Sequence, residues 1–363
     1  MSAHTDAGLT RLVREHLGDP AAEIAEQRVE PVEAEPGAFS TASLHRVRGT
    51  TTDGAAWSFF VKSVNSVRHS PALATLPEHL RPVMIEHFPW RSDADVYLAA
   101  EPLPRGLRLP RLYRLDDLGD DRLIMWLEDV EQDPGAQWDL DRYARAAHLL
   151  GALAAARPVP RPDPPRPLNT GLRFFYEDVV PATIKPRLLG EELWRHPLVA
   201  PYADGRLRQD VRTLIGRCAD LLDALDRLPH TQVHGDACPQ NLLVPADGSA
   251  DFVAVDWSFN DPAAVGHDLG QLLMGHAHLG RTPVEELPKL QETIERSYRE
   301  AFPAADPAQI TFGFLGGLVL RSLWTAVPIP RLAEDPTPDL HEHFRNRLTL
   351  TRHLTDLGLS LTF

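Results

Sequence analysis

The chain has 363 residues, 43% of them hydrophobic and 24% charged, with a formal net charge of -14 at pH 7. That length exceeds one small core and points to two lobes of an ordinary globular protein, and the acidic balance argues against a nucleic-acid binder, whose footprint is basic. Two cysteines, Cys218 and Cys238, supply no disulfide framework, so a reducing, cytoplasmic setting is expected.

Taken in chain order, the first segment, "MSAHTDAGLTRLVREHLGDP", is polar and amphipathic and lacks the apolar core of a signal peptide. The runs "SLHRVRG" and "AWSFFVKSV" are strand-like and joined by the turn "TTTDGA". A second pair, "LYRLDDLGDDRLIMWLEDV", repeats the pattern around "LGDD". Between the pairs, "WRSDADVYLAAEPL" places Val96, Ala99 and Ala100 on one side of a helix that Pro102 should end. Residues 1–128 therefore read as a small antiparallel sheet with one helix across it.

From Trp138 onward the character is helical. "DLDRYARAAHLLGALAAA" puts Tyr143, Ala146, Ala147 and Leu150 at helical spacing, and "DVRTLIGRCADLLDALDRL" does so for Leu214, Cys218, Leu221, Leu222 and Leu225. Two proline-rich stretches, 157–167 and 327–338, read as stiff connections, although the first has PxxP spacing. The most apolar segment, "FGFLGGLVLRSLWTAV", is interrupted by Arg321 and is shorter than the roughly 20 residues of a membrane span, so no membrane partner is expected.

The chemistry concentrates in "VHGDACPQN" (233–241), followed by "LLV", the turn "PADGSAD" and the returning run "FVAVDW". A strand, tight turn and strand bring Asp256 back beside Asn241, so that Asp236, Asn241 and Asp256 converge. Carboxylate and amide oxygens at that density suit a hard cation such as Mg²⁺, which borrows phosphate oxygens and keeps waters. Turn chemistry alone is the bland alternative, since Asn and Asp favour turns. The spacing also matches the protein-kinase pattern of a catalytic-loop Asp, an Asn five residues on and a metal-binding Asp after a hairpin.

"HGDACPQN" followed by "VDW" and then "GHDL" resembles the aminoglycoside phosphotransferase / choline kinase-like family. The resemblance implies an α+β, two-lobed protein kinase-like fold, with an amino-terminal nucleotide-binding lobe (1–128) and a larger, mainly helical lobe (129–363). It implies phosphoryl transfer from ATP or GTP, with Mg²⁺, to a hydroxyl of a small molecule. Carried over by motif, Asp236 is the base, Asn241 and Asp256 hold Mg²⁺, Asp268 braces the catalytic loop and His234 bonds the loop backbone. Cys238 and Gln240 depart from the family's frequent His and Gly.

The phosphate-binding lysine is expected at Lys62, the only lysine before Lys185. By similarity to the family's RExxxY helix start its partner is Asp93, with Asp95 as the alternative and Glu86 and Glu101 next. The phosphate-covering loop falls at "EPGAFSTAS", which holds a single glycine, Gly37, so Ser40 and Thr41 are the candidate donors to the phosphates. "WLEDV" resembles the hinge, where backbone groups near Glu128 and Val130 would meet adenine. Cys238 reads as packing rather than as a nucleophile, and His267, His276 and His278 lack the spacing of a zinc site. The insert 172–205, with Glu177, Asp178, Glu191, Glu192 and the aromatics Phe174, Phe175, Tyr176 and Trp194, is where the acceptor is expected, a cationic sugar among the options. A catalytically silent nucleotide- or partner-binding protein is the other class the sequence allows. A protein kinase is disfavoured, because "VDW" replaces D-F-G and no A-P-E follows.

Overall fold

The computed structural model describes residues 6–32, 39–162, 168 and 170–363. Helix α1 (Asp6–Leu17) leads into strands β1 (Ile24–Val32), β2 (Thr41–Thr51) and β3 (Ala56–Asn65). Short helices α2 (Arg81–His87) and α3 (Ser92–Ala99) follow, then a two-residue strand β4 (Leu107–Arg108), and the chain returns through β5 (Leu112–Asp117) and β6 (Arg122–Glu128). The sheet runs β1-β2-β3-β6-β5 with all neighbours antiparallel.

The central strand β3 is covered on both faces, which explains its near-continuous apolar run. Successive side chains on a strand point to opposite faces. Trp57, Phe59 and Val61 pack with Leu12 and Val13 of α1, while Phe60 and Val64 pack with Ala94 and Tyr97 of α3. Lys62 shares the parity of Phe60 and Val64 and so points towards α3. The sequence suggested one helix across this sheet; α1, the amphipathic start of the chain, is a second cover on the opposite face. Strand β1 also escapes the sequence reading. "IAEQRVEPV" is mostly exposed and carries Pro31, as befits an edge strand whose outer groups face water.

The second part begins with α4 (Leu140–Ala156) and strand β7 (Pro158–Val159). Four short helices, α5 (Thr170–Phe174), α6 (Val180–Thr183), α7 (Lys185–Leu189) and α8 (Glu191–Arg195), lead to α9 (Gly205–Asp226), with a π-helical turn at Phe175–Val179 after the first of them. Strands β8 (His230–Gln232), β9 (Leu242–Leu243), β10 (Phe252–Ala254) and β11 (Pro262–Ala264) form two small sheets, β11-β8-β7 and β4-β10-β9. Helices α10 (Asp268–His278), α11 (Leu287–Ala301), α12 (Pro307–Ala326) and α13 (Pro338–Ser360) complete it. The expected stripes on α4 and α9 are all buried in one core. The architecture is the expected α+β one, an antiparallel sheet followed by a helical lobe.

Helix α12 corrects the reason for setting a membrane aside. It has 20 residues, long and apolar enough to span a bilayer, but 78% of its apolar window is buried in the protein, so it is the core helix of this lobe. Its last carbonyls are held by buried Arg347, whose Nε donates to Ala326 O at 2.8 Å and whose Nη2 donates to Thr325 O. The Nη1 of Arg347 reaches the end of α10, donating to His278 O at 2.8 Å. Burial lowers the pKa of Arg347 to about 10, and no carboxylate faces it among the described residues. The negative ends of two helix dipoles take that place.

Burial also holds His267 and His278 neutral, with pKa values lowered to about 3; nearby Arg321 adds to both shifts. His267 Nδ1 and His278 Nε2 are buried without a hydrogen-bond partner among the described residues. Because the folded values lie below the ordinary histidine value, the stability they contribute is complete above about pH 6.5 and is lost as the pH falls. Each should cost about 1.4 kcal/mol per pH unit below that point. Thermal denaturation followed from about pH 7 to about pH 5 should show the midpoint falling, with a shallower fall in His267→Gln.

Candidate active site

The segment 233–241 is fixed from below by Asp268, the first residue of α10. Its Oδ2 accepts the N–H of His234 at 3.0 Å and its Oδ1 that of Gly235 at 2.8 Å. Burial raises the Asp268 pKa, and the two amide donors work against that rise. Gly235 has φ +83°, and a Cβ there would lie 1.9 Å from Phe259 O, so only glycine fits. His234 spends both ring nitrogens on the loop: Nδ1 accepts from Asp236 N at 3.2 Å, and Nε2 donates to Val255 O at 3.1 Å. Those partners require the neutral tautomer protonated on Nε2.

The chain then turns through Pro239–Asn241 into β9, and β10 returns antiparallel beside it. Val255 N donates to Asn241 O at 2.9 Å, which sets Asp256 next to Asn241. Asp256 takes a left-handed backbone, φ 58°, uncommon for a residue with a side chain and held here by its surroundings. The Nδ2 of Asn241 faces two acceptors, Asp236 O at 2.9 Å and Asp236 Oδ2 at 3.1 Å. An amide oxygen could not sit there, so Asn241 Oδ1 is turned away from the loop. Asp256 uses Oδ1 for Lys62 Nζ at 3.0 Å and for the Ser258 hydroxyl at 2.6 Å, and its Oδ2 has no hydrogen-bond partner among the described residues. Close packing disfavours the Asp256 charge, but the Lys62 ammonium and Ser258 prevail, and its pKa lies below the ordinary value.

Lys62 reaches this point from β3. Its Nζ is 2.7 Å from Asp93 Oδ2, and both side chains are buried, at 8% and 4% exposure. Burial alone would lower the Lys62 pKa; Asp93 and Asp256 raise it instead. The other oxygen of Asp93 accepts Trp257 N–H at 3.0 Å, which joins α3 to the hairpin. Asp95 points elsewhere and pairs with Arg91 on an exposed surface at 3.0 Å. Glu86 and Glu101 lie beside His87 and Arg157, not beside Lys62.

Other predicted positions are less closely gathered. Ser40 is buried, and its carbonyl accepts from Asn65 N at 2.8 Å; Thr41 opens β2 opposite Val64. Gly37 lies outside the described residues. Glu128 donates its N–H to Arg111 O at 2.9 Å and holds Arg108 through both carboxylate oxygens, at 2.7 and 2.8 Å. Val130 follows the strand, and its backbone groups have no hydrogen-bond partner among the described residues. His267 stands just before Asp268 at one end of α10, and His276 and His278 stand at the other. Among the described residues no three His, Cys, Asp or Glu side chains are grouped to hold a metal. Burial, helped by the charge of Asp236, raises the Cys238 thiol to about 12, so it stays protonated and packs. In the insert, Glu177 pairs with Arg173 at 2.5 Å, Glu191 with Arg195 at 2.5 Å and Arg208 at 3.3 Å, and Tyr176 and Trp194 are buried. Two of its four acids are thus already neutralised, which weakens the case for a cationic acceptor there.

Two residues that sequence reasoning missed close on Asp236 Oδ1. Gln271 Nε2 of α10 donates to it at 2.8 Å and Arg321 Nη2 of α12 at 2.9 Å. Arg321 is the one charged residue in α12, and a lone charge in an apolar helix has to find a partner; that was the available signal.

No family profile and no curated protein matches the chain in sequence. Solved structures do match in shape. An amicoumacin kinase in complex with AMP-PNP and Ca²⁺ superposes with a TM-score of 0.52 at 12% identity, over 96% of each chain. An ethanolamine kinase of Plasmodium vivax superposes with a TM-score of 0.50 at 11% identity, over 94% of this chain and 86% of that one. The fold is that of the small-molecule kinases. Kinases of this fold have an amino-terminal sheet and a helical lobe, and in this chain Lys62, Asp93, Asp236, Asn241 and Asp256 gather where the two meet.

Proposed function

We propose that this chain is an ATP-dependent O-phosphotransferase that moves the γ-phosphoryl group of ATP, or of GTP, to a hydroxyl of a small molecule. The observation that carries this reading is a pair of oxygens without a hydrogen bond among the described residues, Asn241 Oδ1 and Asp256 Oδ2. The Val255 N–H to Asn241 O bond brings their residues together, with Asp236 bonded to the first residue and Lys62 to the second. Two protein oxygens fit Mg²⁺, which takes the rest of its octahedron from phosphate and water. The ion would neutralise charge on the β- and γ-phosphates. Lys62, steadied by Asp93, would face the α- and β-phosphates, Ser40 and Thr41 would supply donors to the phosphates, and backbone groups near Glu128 and Val130 would meet the base.

Asp236 would align the acceptor hydroxyl with the γ-phosphorus. The new P–O bond forms to the acceptor oxygen, the bond to the β-bridging oxygen breaks to leave ADP, and the hydroxyl proton passes to Asp236. In this reading residues 1–128 hold the nucleotide, residues 129–363 hold the acceptor, and the free thiols suit the cytoplasm.

Asp256→Asn is expected to weaken Mg·ATP binding at least tenfold while the fold is retained, because the neutral side chain no longer balances the ion's charge. Calorimetry with Mg·ATP measures this, and unchanged affinity would sink the metal assignment. A panel of candidate alcohols, followed for ADP release with mass spectrometry of the products, separates an active kinase from a silent nucleotide binder.

A further inference from the structure

The two oxygens of Asp236 are in different situations. Oδ1 receives two donors, Gln271 Nε2 at 2.8 Å and Arg321 Nη2 at 2.9 Å, whereas Oδ2 receives one, Asn241 Nδ2 at 3.1 Å. A carboxylate oxygen offers two in-plane lone pairs, so among the described residues Oδ1 is filled and Oδ2 keeps one free. Arg321 also donates from Nη1 to Gly235 O, one residue earlier in the loop, and its guanidinium lies 4.9 Å from the centre of the Phe259 ring. The arginine is thereby held on three sides, by the loop backbone, by the carboxylate and by an aromatic face.

We infer that Arg321, with Gln271, is the positioning device of the base: the two lock Oδ1 and leave Oδ2 as the one atom that takes the acceptor's proton. This rests on the phosphotransferase reading and goes beyond it by fixing which oxygen reacts and which distant helix decides so. A freely rotating carboxylate would present either oxygen at any angle, and phosphoryl transfer depends above all on alignment. The guanidinium fork suits the task, because one rigid plane engages backbone and side chain together. A purely structural arginine would need only a partner for its charge. The simultaneous grip on Gly235 O and Asp236 Oδ1 fixes the carboxylate against its own backbone instead.

The test is steady-state kinetics on Arg321→Met, Arg321→Gln and Arg321→Lys, with Mg·ATP affinity measured by calorimetry. We expect kcat to fall by about 10²-fold in the methionine variant with Mg·ATP affinity unchanged. Lysine should recover part of the loss, because it restores a charged donor to Oδ1 but cannot also hold Gly235 O. Glutamine is neutral, and its shorter amide cannot hold Gly235 O and Asp236 Oδ1 together, so it serves if the methionine variant does not fold. Unaltered kcat in a folded neutral variant overturns the inference; so does a parallel loss of kcat and Mg·ATP affinity, which would mean that the whole loop had collapsed. Should the unaltered protein transfer phosphate to no acceptor, the phosphotransferase reading fails, and Arg321 is judged separately by NMR. Its guanidinium N–H signals should then be protected from exchange in the unaltered protein and lose that protection in Asp236→Ala. Equal exchange in both overturns the grip itself.

Discussion

Replacing Asp236 by asparagine is expected to cut phosphoryl transfer by roughly 10²–10⁴-fold, with Mg·ATP affinity staying near that of the unaltered protein. The substitution keeps an oxygen for Gln271 and Arg321, whose donors reach Oδ1 at 2.8 and 2.9 Å. It puts an NH₂ where Oδ2 stood, and that group takes no proton. Asn241 loses one acceptor but keeps the Asp236 main-chain oxygen at 2.9 Å, so its own oxygen still faces away from the loop. The split is therefore specific: rate is lost and nucleotide binding is spared. Full activity with a verified acceptor would mean that residues 233–241 are a turn and that the base lies elsewhere.

The second large effect is on stability and separates two neighbouring aspartates. Asp93→Ala removes the partner of a buried ammonium 2.7 Å away and leaves Trp257 N–H without its acceptor. Breaking a buried ion pair from one side costs about 3–5 kcal/mol, because the remaining charge stays buried. Asp256, at 3.0 Å, offsets part of that cost, so the lower end of the range is expected. Asp95→Ala removes only an exposed pair with Arg91 and should change stability by less than about 0.5 kcal/mol. Urea denaturation of the two variants decides the matter. Equal losses would show that the Lys62 pair contributes nothing particular.

Much of this site could be read along the chain because its grammar is local. The hairpin that returns Asp256 to Asn241 follows from a turn between two apolar runs. Lys62 was conspicuous as the only early lysine, at the end of a run that proves to be a strand covered on both sides. Choosing Asp93 over Asp95 needed the structure, since both stand in the first turn of α3 and only the helix's rotation against the sheet decides which faces Lys62. Arg321 and Gln271 lay further out of reach. They are 85 and 35 residues from Asp236, and nothing local brings α10 and α12 against that loop. Strand β1 was missed for the opposite reason: as an exposed edge, it carries no apolar pattern to read.

The grip of Arg347 on the ends of α10 and α12 has a consequence for the order in which the protein comes into being. The hairpin bearing Asp236 and Asp256 leaves the ribosome well before residue 347, and at roughly 5–20 residues per second the delay amounts to several seconds. Through that interval the helix carrying Gln271 has no clasp at its far end, and the one carrying Arg321 is still being made. Once α13 has been made, Arg347 can close on the carbonyl ends of α10 and α12 at His278 and Ala326, so this clasp joins the lobe later in synthesis than the hairpin it follows.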